Sequence, residues 1–443
     1  MSGKTLRSSL TLVLSAMILA GCANYSGLDT QGQSLDAKSL KVGQSLNGVT
    51  LSPAAWPKSD WWTSLGDPQL DGLIREALHD SPDMQIAEAR AHQASAAAYA
   101  ADAERYPTLD ASAGISRSRL AKDQDPRGQG DAYATVRNVS AGFNYNFDLW
   151  GGQRDAWEAA LGEARAAEVD RQAAQLTLAA DVARAYSDLG QAHIVYDLAN
   201  EDLKRTKQML ELSQRRLSSG IDSQYQFQQT QSLEASSEAS LIDAEKRLNS
   251  AKIALAVLLG KGPDRGNEIA RPNILQASAV AVPSVLPAEL LGRRPDLVAA
   301  RWRVEAASKD IDSAKTRFYP NLNLTASAGA ESLLGDAMFG SASRFFNIAP
   351  TISVPIFDGG RLRANLDARD ADYDLAVAQY NKSLVKALGD VSDTINQLRD
   401  IGRQIGAQQH ATDIAQDSYN TVVQRYGSGI GNYLDVLSIE QQL

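Results

Sequence analysis

The chain of 443 residues has one cysteine, Cys22. That excludes a disulfide within the chain and any centre built on paired cysteines. Histidine is also scarce. The four, at positions 79, 92, 193 and 410, are scattered without metal-ligand spacing. No Ser/His/Asp arrangement is readable. Residues 427–431 are glycine-rich, but they join two helical stretches rather than a strand and a helix, so they lack the context of a phosphate loop. The chain therefore reads as no enzyme, with no metal and no cofactor. Basic residues number 44 against 53 acids. This balance argues against nucleic acid as a partner, because phosphate binding needs clustered Lys and Arg. Proline is missing between Pro126 and Pro263, and that absence permits very long helices.

The N-terminus is a targeting segment. Lys4 and Arg7 precede an apolar run at residues 10–20, too short to span a membrane. It ends Leu19-Ala20-Gly21-Cys22, which resembles a bacterial lipobox. The resemblance implies removal of residues 1–21 and lipid on the sulfur and the new amino group of Cys22. Ala23, where Asp would retain such a lipoprotein, implies sorting to the outer membrane. Residues 22–66 read as a lipidated tether, rich in Ser, Gly, Gln and Asp without periodicity.

From residue 178 the apolar residues keep a seven-residue beat. Val182, Leu189, Tyr196, Leu203, Leu210 and Leu217 form one seam. Leu178, Ala185, Ala192 and Ala199 form the other, which turns polar at Thr206 and Ser213. Such a repeat predicts a narrow packing face. A continuous helix over 151–217 would be about 100 Å long at 1.5 Å per residue.

Two stretches change period. Leu109, Ala111, Ala113 and Ile115 alternate with polar or small residues, as do Val139, Ala141, Phe143, Tyr145 and Phe147. Period two predicts strands with one apolar and one polar face. Small amides and hydroxyls on the polar face suit either an ordinary hairpin on a core or a water-filled lumen.

The chain then repeats itself. Pro295-Asp296 answers Pro82-Asp83, and Tyr319-Pro320 answers Tyr106-Pro107, both 213 residues later. Phe357-Asp358-Gly359-Gly360 answers the stretch from Phe147-Asp148 to Gly151-Gly152. Residues 425–430 answer 216–221 at an offset of 209. The first unit is residues 67–260, with strands near 108–118 and 136–148 and long helices near 152–217 and 222–259. A proline-rich linker covers 261–288. The second unit is 289–443, with strands near 321–331 and 345–357 and a long helix near 361–426. Its final helix reads as truncated.

Two hairpins give four strands per chain. A membrane barrel needs about eight or more, so several copies would be required, and three would supply twelve. The lipobox, the Trp61-Trp62, Asp67-Pro68 and Leu70 opening, the paired Tyr-Pro strand starts, the Phe-Asp/Gly-Gly junctions and the two Arg-x-x-Ser-Gly tips together resemble the TolC-like outer-membrane factors, in their lipoprotein branch. The resemblance covers nearly the whole mature chain. It implies a mainly α fold with a β-barrel part: a homotrimer with a twelve-strand barrel continued by a twelve-helix periplasmic tube. It also implies docking to a periplasmic adaptor and an inner-membrane pump, and efflux of small molecules through a channel seated in outer-membrane lipid. The adaptor would meet the tips at Arg216, Leu217 and Gly220 and at Arg425, Tyr426 and Gly429. The tube would close near Leu434, with Asp435 and Ser438 beside it. An outer-membrane component of type I protein secretion, a lipid-anchored adaptor and a pore-free structural lipoprotein stay open as alternatives. Duplicated alternating strands argue against the adaptor.

Overall fold

The computed structural model describes residues 24–36, 39–40, 51–52, 60–119, 133–273, 282–283, 293–332, 338–431, 433–440 and 442. The lipobox and Cys22 lie outside them. A short 3-10 helix, Trp61–Leu65, leads into α1, Pro68–Asp80, and α2, Pro82–Ala103. Both helices carry proline in the first turn, where its missing N–H costs nothing. Asp67 and Ser81 cap them by accepting from backbone N–H groups. Strands β1, Thr108–Arg119, and β2, Tyr133–Phe147, follow. Next come α3, Gly152–Ser218, and α4, Gln224–Leu258. The second unit of the repeat supplies α5, Pro295–Thr316, β3, Asn321–Ser332, β4, Arg344–Ser353, and α6, Arg361–Gly427. The last helix is α7, Tyr433–Glu440. Helices α3 and α6 both have 67 residues.

The chain divides into two compact units. The larger holds the sheet, α1 to α5 and the start of α6. Its four strands run in the order β1-β2-β3-β4, every pair antiparallel. Helix α3 is backed along its length by two antiparallel helices in turn. Nearest the sheet it packs on α5, so closely that a Cβ on Gly162 would lie 3.0 Å from that of Ala306. Arg303 of α5 pairs with Asp170 of α3, and Lys309 with Asp155 and Glu158. Further on, the heptad seam meets α4. Leu178, Val182 and Leu189 are buried there with Leu248 and Leu255. Each such aliphatic contributes roughly 1.5–3 kcal/mol. Towards the tip the seam changes to buried hydroxyls, with Thr206 and Ser213 on α3 and Thr230 and Ser237 on α4. Ser237 Oγ donates to Asp202 Oδ2 at 2.7 Å, so this polar stretch is internally bonded.

The smaller unit holds α6 from residue 381, α7, and a two-residue parallel bridge between Leu51–Ser52 and Val282–Pro283. Leu384, Ala387, Tyr426 and Val436 are its buried side chains of note.

Three expectations differ from the structure. Residues 24–36 are no free tether. Arg363 donates to the carbonyls of Asn24 and Ser26, and Asp374 accepts from the N–H groups of Gln31 and Gly32. Tyr25 and Leu28 supply the apolar grip on Phe318 and Leu362. The linker starts with an ordered 3-10 turn, Pro263–Glu268, and buries Ile269. Strand β4 ends at Ser353 instead of 357; β3 begins opposite it at Asn321, and Pro355 has no N–H for a ladder.

Candidate channel surfaces and hairpin tips

Register carries the alternation of the strands across the whole sheet. Leu109, Phe143, Ala326 and Ile348 stand in one cross-strand row, and Phe147, Leu322 and Ile352 in another. The opposite face carries Asp110, Gly142, Ser327 and Asn347 in one row, and Asn146, Asn323 and Thr351 in another. Ser112 and Ser140 hydroxyls meet there at 3.0 Å. Among the described residues nothing covers the outer strands of the apolar face: Leu109 is 75% exposed and Ile348 67%. A continuous apolar face of this kind marks contact with lipid or protein. The outer edges of β1 and β4 pair with no strand among the described residues. Such edges bind another strand or stay out of hydrocarbon. No described helix is long and apolar enough to cross a membrane.

The two tips share one backbone design. In the first, Ile221 N–H donates to the Arg216 carbonyl (2.9 Å) and Gly220 N–H to that of Leu217 (3.0 Å). In the second, Ile430 donates to Arg425 (3.0 Å) and Gly429 to Tyr426 (3.0 Å). Both are Schellman caps, and they need a left-handed residue: Gly220 has φ 69° and Gly429 φ 79°. Ser223 and Gln226 then form a capping box that starts α4.

The side chains differ between the tips. Arg216 Nε donates to Asp222 Oδ1 at 3.0 Å, with the arginine 19% exposed and the carboxylate 3%. Asp222 is a residue that sequence reasoning missed. Its signal was an acid just beyond the tip glycine. At the corresponding place the second tip has Gly431, and Arg425 is exposed without an ion pair among the described residues. Leu217 is half-buried, Tyr426 buried and Ile221 exposed. Leu434, Asp435 and Ser438 all lie on α7, and the last two are exposed.

A buried polar network fixes α1 to α3. Tyr186 Oη donates to Asp67 Oδ2 at 2.8 Å and accepts from Gln69 Nε2 at 2.9 Å. Gln69 also exchanges two hydrogen bonds with the backbone of Ala270. Burial, and then the Asp67 carboxylate, push the Tyr186 hydroxyl up to about 12. Near the strapped N-terminal segment, burial raises the Asp370 carboxyl above its ordinary range. Among the described residues no three His, Cys, Asp or Glu side chains gather as a metal site.

The chain matches the family model described as outer membrane efflux protein over residues 73–261 and 286–443. It is 32% identical over 447 aligned positions to the pyoverdine export outer membrane protein OpmQ of Pseudomonas aeruginosa, covering 98% of this chain and 91% of that one. It is 34% identical over 371 positions to the fusaric acid resistance protein FusA of Burkholderia cepacia, covering 82% of this chain and 69% of that one. The solved structure of the outer membrane protein VceC of Vibrio cholerae superposes with a TM-score of 0.81 at 34% identity, over 88% of this chain and 93% of that one. With its duplicated strand pairs and long helices, and this match along nearly its whole length, the chain belongs to the outer membrane efflux protein family and is an efflux channel chain.

Proposed function

We propose that three copies of the chain close a twelve-strand barrel in the outer membrane, continued by a periplasmic tube of helices. The observation that carries this is the sheet: one face is apolar and the other lined by amides and hydroxyls, and among the described residues nothing pairs with either edge. Edge pairing between copies satisfies every strand, and the aliphatic face then meets lipid while the polar face lines water. Lipid on Cys22 anchors each copy. The two tips receive a periplasmic adaptor, which connects the channel to an inner-membrane pump. The cargo is small toxic solutes, in keeping with relatives named for fusaric acid, toluene and multidrug resistance. The conduit is passive, and the energy comes from the pump.

Leu434 seals the tube near the second tip, with Asp435 favouring cations at its mouth and Ser438 one helical turn on. Planar-bilayer recording of the purified protein tests the proposal. Discrete, cation-preferring conductance is expected, and Leu434→Ser should raise it. Silence of both proteins, with circular dichroism showing folded helix, would leave a pore-free structural lipoprotein as the better reading.

A further inference from the structure

The four strands carry six charged residues, and the register sorts them by face. Asp110, opposite Gly142, and Glu331, opposite Asn138, stand on the polar face. Arg117, Arg119, Arg137 and Arg344 stand on the apolar face. An antiparallel sheet with one solvated face keeps its charges of both signs on that face. Here every strand arginine is on the side that the amides and hydroxyls avoid.

All four arginines also lie at one end of the sheet. Strands β1 and β3 leave helices at Thr108 and Asn321, and β2 and β4 lead into helices at Phe147 and Ser353. The other ends are the hairpin ends, and the arginines are there. Arg344 stands opposite Ala330, Arg137 opposite Ile115 and Ser332, Arg117 opposite Thr135, and Arg119 opposite Tyr133. The Arg344 row lies eight residues beyond that of Leu322 and Ile352, which is about 27 Å of strand and about 21 Å of height at a tilt of about 40°. The apolar band of a membrane barrel is about 25 Å tall. The arginines therefore begin at its rim, where lipid phosphates lie and a lipid-side charge costs little.

Their surroundings suit a headgroup above and acyl chains below. Arg117 Cζ lies 5.2 Å from the centroid of the Tyr133 ring, on the same face. Phe346, in the next row below Arg344, is 83% exposed. Rings of this kind seat at the membrane interface. Beside Arg137 is a hollow of about 300 Å³ walled by Ala113, Ile115, Val139 and Met338, where part of an acyl chain fits. Arg117 and Arg344 are exposed and Arg137 is half-buried, and none of the three pairs with a carboxylate among the described residues.

We propose that these arginines dock the phosphate groups of membrane lipid around the outer rim of the barrel. The acyl chains of the same lipid lie along the apolar rows below. This rests on the barrel reading, which puts the hairpin ends at the outer leaflet. A guanidinium meets phosphate with two parallel N–H bonds, which a lysine ammonium does not offer.

The full-length protein in dodecyl maltoside is offered bisphosphorylated lipid A, and bound lipid is counted by native mass spectrometry. Retention should exceed that of the dephosphorylated lipid at least tenfold. Arg117→Gln, Arg137→Gln and Arg344→Gln together should lower it at least tenfold, and Arg→Lys at the same positions should lower it less. Glu331→Gln, at the same end but on the polar face, should leave it unchanged. Circular dichroism checks that the triple variant folds. Arg344→Gln alone, exposed on an edge strand, should lower retention at least twofold and serves if the triple variant does not. Equal retention of the two lipids overturns the proposal, as does equal retention by wild type and the Gln variants. Inorganic phosphate bound as tightly as the lipid in equilibrium dialysis assigns the arginines to free anions and overturns the lipid reading. A conducting channel whose lipid retention ignores phosphate removes this proposal and leaves the channel. Phosphate- and arginine-dependent retention by a protein that never conducts supports the docking face and removes the pore.

Discussion

Asp222→Asn separates two roles for the first tip. The substitution keeps the shape and removes the charge that neutralises Arg216. Removing one partner of a fully buried pair costs about 3–5 kcal/mol. Arg216 is 19% exposed and keeps some water, so the value expected here is that of one charge-assisted hydrogen bond, about 2–3 kcal/mol at most. At about 1.4 kcal/mol per factor of ten, that is roughly a 30- to 150-fold increase in local opening. Hydrogen exchange reads it at the Gly220 and Ile221 amides, which donate to Leu217 and Arg216 across the turn. The acceleration should stay near the tip and leave the heptad seam at Val182 and Leu189 unchanged. Adding Arg216→Met should recover part of the loss, because no buried charge is then left unpaired. The second tip, with Gly431 where the first has Asp222, should exchange faster than the first in the wild type. Acceleration of less than threefold in Asp222→Asn would refute the reasoning. The position of Arg216 would then be set by contacts other than the one to Asp222.

Tyr186→Phe should destabilise the larger unit by about 1.5–3 kcal/mol, because Asp67 Oδ2 loses its buried donor. Its pH dependence is a sharper signature. The tyrosine is held protonated up to about 12, above the ordinary 10, so its contribution is complete below pH 10 and is lost as pH rises through about 12. Wild type and variant should therefore converge in thermal stability between pH 10 and 12, and a constant gap would refute the network. Ile348→Lys tests the aliphatic face. On a soluble surface such a change stays within about 0.5 kcal/mol, whereas at a bilayer midplane it costs about 2–4 kcal/mol. Insertion into vesicles should fall sharply; unchanged insertion would remove lipid as the partner of that face.

The parts of this molecule that are legible in its sequence are those set by near neighbours. Alternation at Leu109 to Ile115 and at Val139 to Phe147 shows in the residues, because a strand obeys period two whatever lies beside it. The seven-residue beat from Leu178 shows for the same reason, and so do the tip glycines. What could not be read depends on partners far along the chain. Asp67 meets Tyr186 119 residues away, and Gln31 meets Asp374 343 residues away. Nothing in a Ser- and Gly-rich segment announces that a carboxylate will collect its backbone N–H groups. Arg216 is a different case: its partner Asp222 lies six residues on, near enough in sequence to have been weighed beside the reading of the tip as a docking place.

The strap along α6 has a consequence for assembly. Asn24 is held by Arg363, two residues past the start of α6, and Cys22 lies only two residues before it. Two residues reach at most about 7 Å. With lipid on Cys22, the acyl chains must therefore enter the bilayer close to the level of the first turn of α6. The anchor would then act as a depth gauge instead of a leash. On the barrel reading proposed above, every copy would be suspended at one height before it meets another. Edges of β1 and β4 from different copies would arrive already aligned along the membrane normal. Their search for register would be reduced to motion in a plane, and pairings displaced along the normal, which would carry apolar rows out of the hydrocarbon, would be excluded before they form.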